Sequence, residues 1–122
     1  MAKILIVDDS RMSRRVLRSI LEDADHTVIE AKDGLTAIEQ YYLEHPDLVL
    51  LDLTLEDEYG LDVLARLREV APDARVVIAT ADIQRQTKGL AHEMGIHGYV
   101  TKPFQRASVL SAVDSALEER SS

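Results

Sequence analysis

The sequence contains no cysteine among its 122 residues. Disulfide cross-links and thiolate metal sites are therefore excluded. Long hydrophobic runs are lacking as well, since none approaches the roughly 20 residues that a membrane-spanning helix needs. The first apolar run, residues 4–7, is flanked by Lys3 and the Asp8-Asp9 pair and does not read as an export signal. The location expected by default is the cytoplasm, with no membrane partner. Basic residues are in deficit, 14 against 22 acids, for a net charge of −8. Such a surface cannot neutralise nucleic-acid phosphates, so direct nucleic-acid binding is not expected. It suits a chain that holds a cation or meets basic partners. Low-complexity tracts, internal repeats and linkers are missing too. What remains, 46% hydrophobic and 30% charged residues, is an ordinary balance. It predicts one domain over residues 1–122 with a single core. The polar tail, residues 118–122, reads as a frayed end.

Five short apolar runs punctuate the chain: residues 4–7, 27–29, 48–51, 76–79 and 98–100. The first, third and fourth are apolar throughout, as strands buried on both faces of a parallel sheet are. The second and fifth are more mixed, as edge strands are. Helical patterns separate them. Residues 10–24 set Met12, Val16, Leu17, Ile20, Leu21 and Ala24 on one stripe, with Arg14, Arg15 and Arg18 largely opposite. A second helix opens at Asp33-Gly34, carries Leu35, Ile38, Tyr42 and Leu43, and stops before Pro46. A third opens at Gly60, carries Leu61, Leu64, Leu67 and Val70, and ends at Pro72. A fourth covers residues 83–94 and closes at Gly95, where a left-handed cap is favoured. A fifth, residues 106–119, buries Val109, Leu110, Val113, Ala116 and Leu117. Strand and helix alternate five times. The fold class predicted is α/β, a doubly wound five-stranded parallel sheet of order 2-1-3-4-5 with five helices.

In such a sheet all strand C-termini share one edge, and ligands bind there at the switch point between the first and third strands. Asp8 and Asp9 follow the first strand, Asp52 the third, Thr80 the fourth and Lys102 the fifth. Taken singly each has a plain reading. Asp8-Asp9-Ser10 resembles a helix cap, Thr80 a loop residue, and Lys102 a surface lysine. A carboxylate beside a buried strand, as at Asp52, is costly unless paired or metal-bound. Together the five make chemical sense. Clustered carboxylates repel one another and need a cation. An oxygen-only donor set suits Mg²⁺ or Mn²⁺. A carboxylate so placed can act as a nucleophile toward a phosphoryl group. Lys102 can supply a fixed positive charge and Thr80 a hydroxyl to the phosphoryl oxygens.

These residues carry a resemblance. Ile4-Leu5-Ile6-Val7-Asp8-Asp9-Ser10, Leu50-Leu51-Asp52-Leu53, Ala79-Thr80-Ala81 and Gly98-Tyr99-Val100-Thr101-Lys102-Pro103-Phe104 are similar to the receiver domains of two-component response regulators, along essentially the whole chain. The resemblance implies a flavodoxin-like receiver fold in which Asp52 is the phosphoacceptor. The implied donor is a histidine kinase or a histidine phosphotransfer protein. It implies that Asp8, Asp9, Asp52 and the backbone carbonyl of Thr54 surround Mg²⁺. Thr80 and Tyr99 then form a coupled switch, with Lys102-Pro103 in the cis form. Thr54 and Asp82 stand where family members influence the loss of the phosphoryl group to water. The face made by the fourth helix, fifth strand and fifth helix is the implied docking surface for a downstream protein. Here it offers Arg85, Lys88, His92, Glu93, Tyr99 and Arg106. No cofactor beyond the metal and no separate substrate is implied, so the chain is expected to catalyse only its own phosphorylation and dephosphorylation. A monomer is expected, with dimerisation on activation left open.

The sequence departs from the family at Leu53-Thr54-Leu55-Glu56-Asp57-Glu58-Tyr59-Gly60, where members usually carry Met-Pro and then Asp-Gly. Glu56, Asp57 and Glu58 read either as a solvated polar loop or as extra charge that alters metal affinity and disfavours small anionic phosphodonors. His26, His45, His92 and His97 show no ligand spacing and read as ordinary surface or boundary residues. A chain running from Met1 to just past the fifth helix is expected to be a single-domain, chemotaxis-like or phosphorelay receiver. The alternatives are a receiver cut from a longer DNA-binding or enzymatic regulator, a metal-dependent phosphatase with an aspartyl nucleophile, and a flavodoxin-like cofactor carrier. The phosphatase normally needs a second carboxylate where Thr54 stands. The cofactor carrier needs a neutral phosphate loop where Asp8 and Asp9 stand.

Overall fold

The computed structural model describes residues 1–118. Strands and helices alternate as β1 (Lys3–Val7), α1 (Arg11–Asp23), β2 (Thr27–Ala31), α2 (Gly34–Glu44), β3 (Leu48–Leu51), α3 (Gly60–Val70), β4 (Val76–Thr80), α4 (Arg85–Glu93), β5 (Gly98–Thr101) and α5 (Arg106–Glu118). All pairings between these strands are parallel and the strand order is β2-β1-β3-β4-β5, as the apolar pattern predicts. The mixed strands β2 and β5 take the edges. The polar tail beyond Glu118 lies outside the described residues, and Glu118 itself belongs to α5.

Side chains alternate across the sheet with a period of two. Leu5, Val7, Val49, Leu51, Val76 and Ile78 face α2, α3 and α4, whereas Ile4, Ile6, Leu48, Leu50, Val77 and Ala79 face α1 and α5. Each fully buried Leu or Ile contributes roughly 1.5–3 kcal/mol over an exposed one. A four-residue strand such as β3, buried at every position, is thus held by its two faces more than by its short ladder.

Helix faces depart from the simple stripes. In α1, Leu17, Ile20 and Leu21 are buried, but Met12 is 76% and Val16 38% exposed. The helix is turned so that Arg14 and Arg18 reach Glu30 of β2, at 2.8 and 2.7 Å. Burial opposes ionisation of Glu30, yet hydrogen bonds from Arg18 and then Arg14 hold its carboxyl below the usual range. In α2 the buried residues are Gly34 and Ala37, with Ile38 and Tyr41 half-buried, while Leu35, Tyr42 and Leu43 are exposed. Small residues at this contact let the helix pack closely, which turns its larger side chains outward. In α3 the buried set is Gly60, Val63, Leu64 and Leu67, and Val70 is exposed. Helix α4 begins at Arg85 rather than residue 83, because Asp82 accepts the Gln84 amide at 2.9 Å in a turn before the helix. Ile83 is left exposed. Gly95 has φ +80°, as a left-handed cap requires, and His45 takes the same role before Pro46 with φ +49°.

One glycine sits where the backbone itself crowds the site. A Cβ on Gly60 would lie 2.3 Å from Leu53 Cα and 2.4 Å from the Asp52 carbonyl oxygen. By contrast, a Cβ on Gly89 in α4 would meet nothing within 4 Å. Gly60→Ala is expected to lose about 3 kcal/mol of stability, since only backbone could move. Gly89→Ala is expected to gain roughly 0.5–1 kcal/mol. Urea unfolding of both variants checks the pair, and a Gly60→Ala protein as stable as wild type would contradict the close approach.

Candidate functional site

Register assembles the site. The β1–β3 pairing ends at Val7↔Leu51, so the next residues, Asp8 and Asp52, leave the sheet side by side. Asp52 N–H still donates to the Val7 carbonyl at 2.9 Å, and Asp8 N–H to the Ala31 carbonyl at 3.1 Å. On the other side β4 and β5 pair to Thr80↔Thr101. Lys102 N–H donates to the Thr80 carbonyl at 2.9 Å, which aims the lysine back over β3.

Asp52 is 1% exposed and its carboxylate is fully engaged. Oδ1 accepts the Thr80 hydroxyl at 2.7 Å and both the N–H and the hydroxyl of Thr54 at 3.0 Å. Oδ2 accepts Lys102 Nζ at 2.9 Å. Burial alone would raise its pKa, but the Thr54 amide, Lys102 and Thr80 outweigh burial and hold the group below the ordinary carboxylate range. Asp8 goes the other way. Burial, and more weakly the neighbouring Asp52 charge, raise it against the Ser10 amide and Lys102. Lys102 is desolvated, which would lower its pKa, yet its two carboxylate partners raise it. The ion pair is thus a three-membered one, Asp8–Lys102–Asp52, with Nζ 3.0 Å from Asp8 Oδ2.

One atom is left over. Asp8 Oδ2 is buried and, despite the nearby ammonium charge, accepts no directed hydrogen bond. One oxygen from each of Asp8, Asp9 and Asp52 lies within 4.8 Å of the others. The donor set is all oxygen, and one buried oxygen has no directed hydrogen bond. These residues fit a hard divalent cation such as Mg²⁺ or Mn²⁺.

Every residue singled out at the strand ends is brought together here: Asp8, Asp9, Asp52, Thr54, Thr80 and Lys102. Ser10 serves as a cap, accepting the Ser13 amide at 3.2 Å, so the capping reading of Asp8-Asp9-Ser10 holds while Asp8 and Asp9 stand in the acidic cluster. Tyr99 does not touch the cluster. Its hydroxyl donates to the Asp82 carbonyl, and Asp82 N–H reaches Thr80 Oγ1 at 3.3 Å. Thr80 and Tyr99 are therefore joined through Asp82. The Lys102–Pro103 bond is cis. Arg85, Lys88, His92 and Glu93 are exposed on α4, with Lys88 Nζ 5.1 Å from the centre of the Tyr99 ring. Arg106 departs from that face, because its guanidinium reaches toward α1, 3.3 Å from Asp23. His26 and His97 lie at the boundary, where each accepts a backbone amide, from Ala2 and Val76 respectively. His45 and His92 are exposed.

Two residues near the site escape the sequence pattern. Arg14 Nη1 donates to the Asp8 carbonyl at 2.7 Å and braces the β1–α1 turn. The signal available was its spacing of four from Arg18, opposite a lone acid on the edge strand. Glu58 turns away from the cluster toward α2 and α3, while Glu56 and Asp57 are exposed. The solvated reading therefore holds for two of the three loop acids.

The family model for the response regulator receiver domain matches residues 4–114. Chemotaxis protein CheY of Halobacterium salinarum is 36% identical over 118 residues, covering 96% of this chain and 98% of the relative. CheY of Listeria monocytogenes is 37% identical over 117 residues, covering 95% and 98%. Among solved structures, a two-component response regulator of the LuxR family from Aurantimonas has a TM-score of 0.89 at 32% identity, covering 96% of this chain and 85% of that one.

Lys102→Met would leave two buried carboxylates facing each other without their cation. Breaking a fully buried pair costs about 3–5 kcal/mol. Lys102 keeps 22% exposure, so a loss of about 2 kcal/mol is expected in metal-free urea unfolding, with part of it restored by Mg²⁺. Unchanged stability would show that the three-membered ion pair does not hold the site.

Proposed function

The chain belongs to the response regulator receiver domain family, and on that premise we propose that Asp52 is its phosphoacceptor. The reading is supported above all by a buried carboxylate held ionised by Thr54, Lys102 and Thr80, beside a second carboxylate whose buried oxygen accepts no directed hydrogen bond and shares the same lysine. The donor is the phosphohistidine of a histidine kinase or of a histidine phosphotransfer protein. An Asp52 oxygen attacks phosphorus, the phosphorus–nitrogen bond breaks, and the imidazole leaves with the electron pair. Asp8, Asp9, Asp52 and the Thr54 carbonyl would hold Mg²⁺ or Mn²⁺, which when bound neutralises charge on the transferring phosphoryl oxygens. The chain's own groups do the rest. Lys102 carries a positive charge into the cleft and meets the phosphoryl group in place of the lost carboxylate charge. The Thr80 hydroxyl, 2.7 Å from Asp52 Oδ1, shifts its hydrogen bond to a phosphoryl oxygen.

That shift would carry the signal outward. Thr80 is tied through Asp82 to the Tyr99 hydroxyl, and Tyr99 lies under Lys88 of α4. Moving the Thr80 hydroxyl changes the turn that leads into α4, and the α4–β5–α5 face is remodelled for a downstream protein. On the same reading the chain catalyses only its own phosphorylation and dephosphorylation. No described helix is long and apolar enough to cross a membrane, and the proposed place of action is the cytoplasm.

Phosphotransfer from a radiolabelled histidine kinase in Mg²⁺ is expected to label wild type, to leave Asp52→Asn unlabelled, and to stop on chelation. Labelling of Asp52→Asn as strong as wild type would overturn the assignment.

A further inference from the structure

The loop of residues 54–59 between β3 and α3 carries three consecutive acids, and one behaves unlike the others. Glu58 Oε2 accepts the Gly34 N–H at 2.7 Å, and Oε1 lies 2.6 Å from Arg66 Nη2. The Gly34 amide is the first of α2 and has no intrahelical partner. A carboxylate there also meets the positive end of the helix dipole. The approach depends on glycine, because a Cβ on Gly34 would lie 2.5 Å from both Glu58 Oε1 and Arg66 Nη2 and 2.7 Å from Val63 Cγ2. One side chain thus ties the loop to two helices at a single point.

The tie lies next to the site. Thr54 faces Tyr59 in an antiparallel bridge, and Gly60 N–H donates to the Leu53 carbonyl at 2.9 Å. The loop is a short hairpin with Thr54 and Tyr59 paired at its base and Glu58 next to Tyr59 on the returning arm. Thr54 gives both its N–H and its hydroxyl to Asp52 Oδ1. We propose that Glu58 is a positioning residue. Its clasp on Gly34 and Arg66 holds the Thr54 arm and so keeps Asp52 oriented for a divalent cation alongside Asp8 and Asp9. The inference rests on the cation-binding reading above, but it assigns affinity to a side chain that is not a ligand.

The clasp and simple electrostatics differ in sign. If only charge mattered, Arg66→Met would remove a nearby positive charge and tighten Mg²⁺ binding. Glu58→Gln and Glu58→Ala would weaken it equally. The clasp predicts the reverse for Arg66→Met. Isothermal titration of the full chain with magnesium chloride is expected to show about threefold weaker binding for Arg66→Met and about tenfold weaker for Glu58→Ala, at the low end for residues that orient metal ligands. Glu58→Gln, which keeps an acceptor for Gly34, is expected in between. The Thr54 amide resonance is expected to shift in the metal-free Arg66→Met and Glu58→Ala proteins. Arg66 is 48% exposed, so that variant folds even if Glu58→Ala does not. Unchanged or tighter binding by Arg66→Met overturns the clasp and leaves cation binding by the wild type standing. A wild type that takes up no Mg²⁺ overturns both.

Discussion

Two carboxylates buried side by side destabilise a fold unless a cation stands between them. Here Lys102 does so, 50 residues along the chain from Asp52. It reaches Asp8 and Asp52 at once, and β5 is placed beside β4 so that it can. Much of the architecture serves that meeting. The register of β1 on β3 sets the two acids abreast, and the β4–β5 ladder turns the lysine over them. The pair is not symmetrical. Asp52 has four donors and is held ionised, while Asp8 Oδ2 is buried with only the shared Lys102 charge beside it, at 3.0 Å and without a directed hydrogen bond. A site in which two buried carboxylates share one lysine suits a group that brings further positive charge.

The same contacts link the cleft to the surface. Thr80 stands between Asp52 and the backbone of Asp82, and Tyr99 closes the chain from the other side. The route is short because β4 and β5 are adjacent and parallel, so their C-terminal ends leave the sheet together. It ends at α4, which has only Thr87 and Ala91 buried and no side-chain cap at its N-terminus. A helix held so lightly is the element that the proposed displacement of Thr80 would move at least cost.

Strands and helices were legible because two periodicities are hard to mistake, and each expected element is present within a few residues. Helix faces were less so. Met12 and Val16 lie on the apolar stripe of α1 yet face outward, because Leu17, Ile20 and Leu21 make the buried face and Arg14 and Arg18 turn to Glu30. Leu35, Tyr42 and Leu43 of α2 face outward because Gly34 and Ala37 make the close contact. Apolar spacing says which residues share a face, but which face turns inward depends on neighbours far away in the chain. The acidic loop shows the same limit. Glu56, Asp57 and Glu58 look alike in sequence, and only Glu58 finds two partners.

The sequence by itself determined the sheet, its strand order, and the set of polar residues at one edge. Strand ends and handed crossovers leave little freedom once the apolar runs are known. The tertiary structure decided how those residues share their charges: Lys102 bridging two acids, Thr54 and Thr80 on one oxygen, Asp8 Oδ2 without a directed hydrogen bond, Arg106 turned toward α1, Glu58 turned away. Such assignments depend on differences of an ångström or less, over which a hydrogen bond forms or fails. Spacing along a chain does not carry that precision, whereas packed elements do.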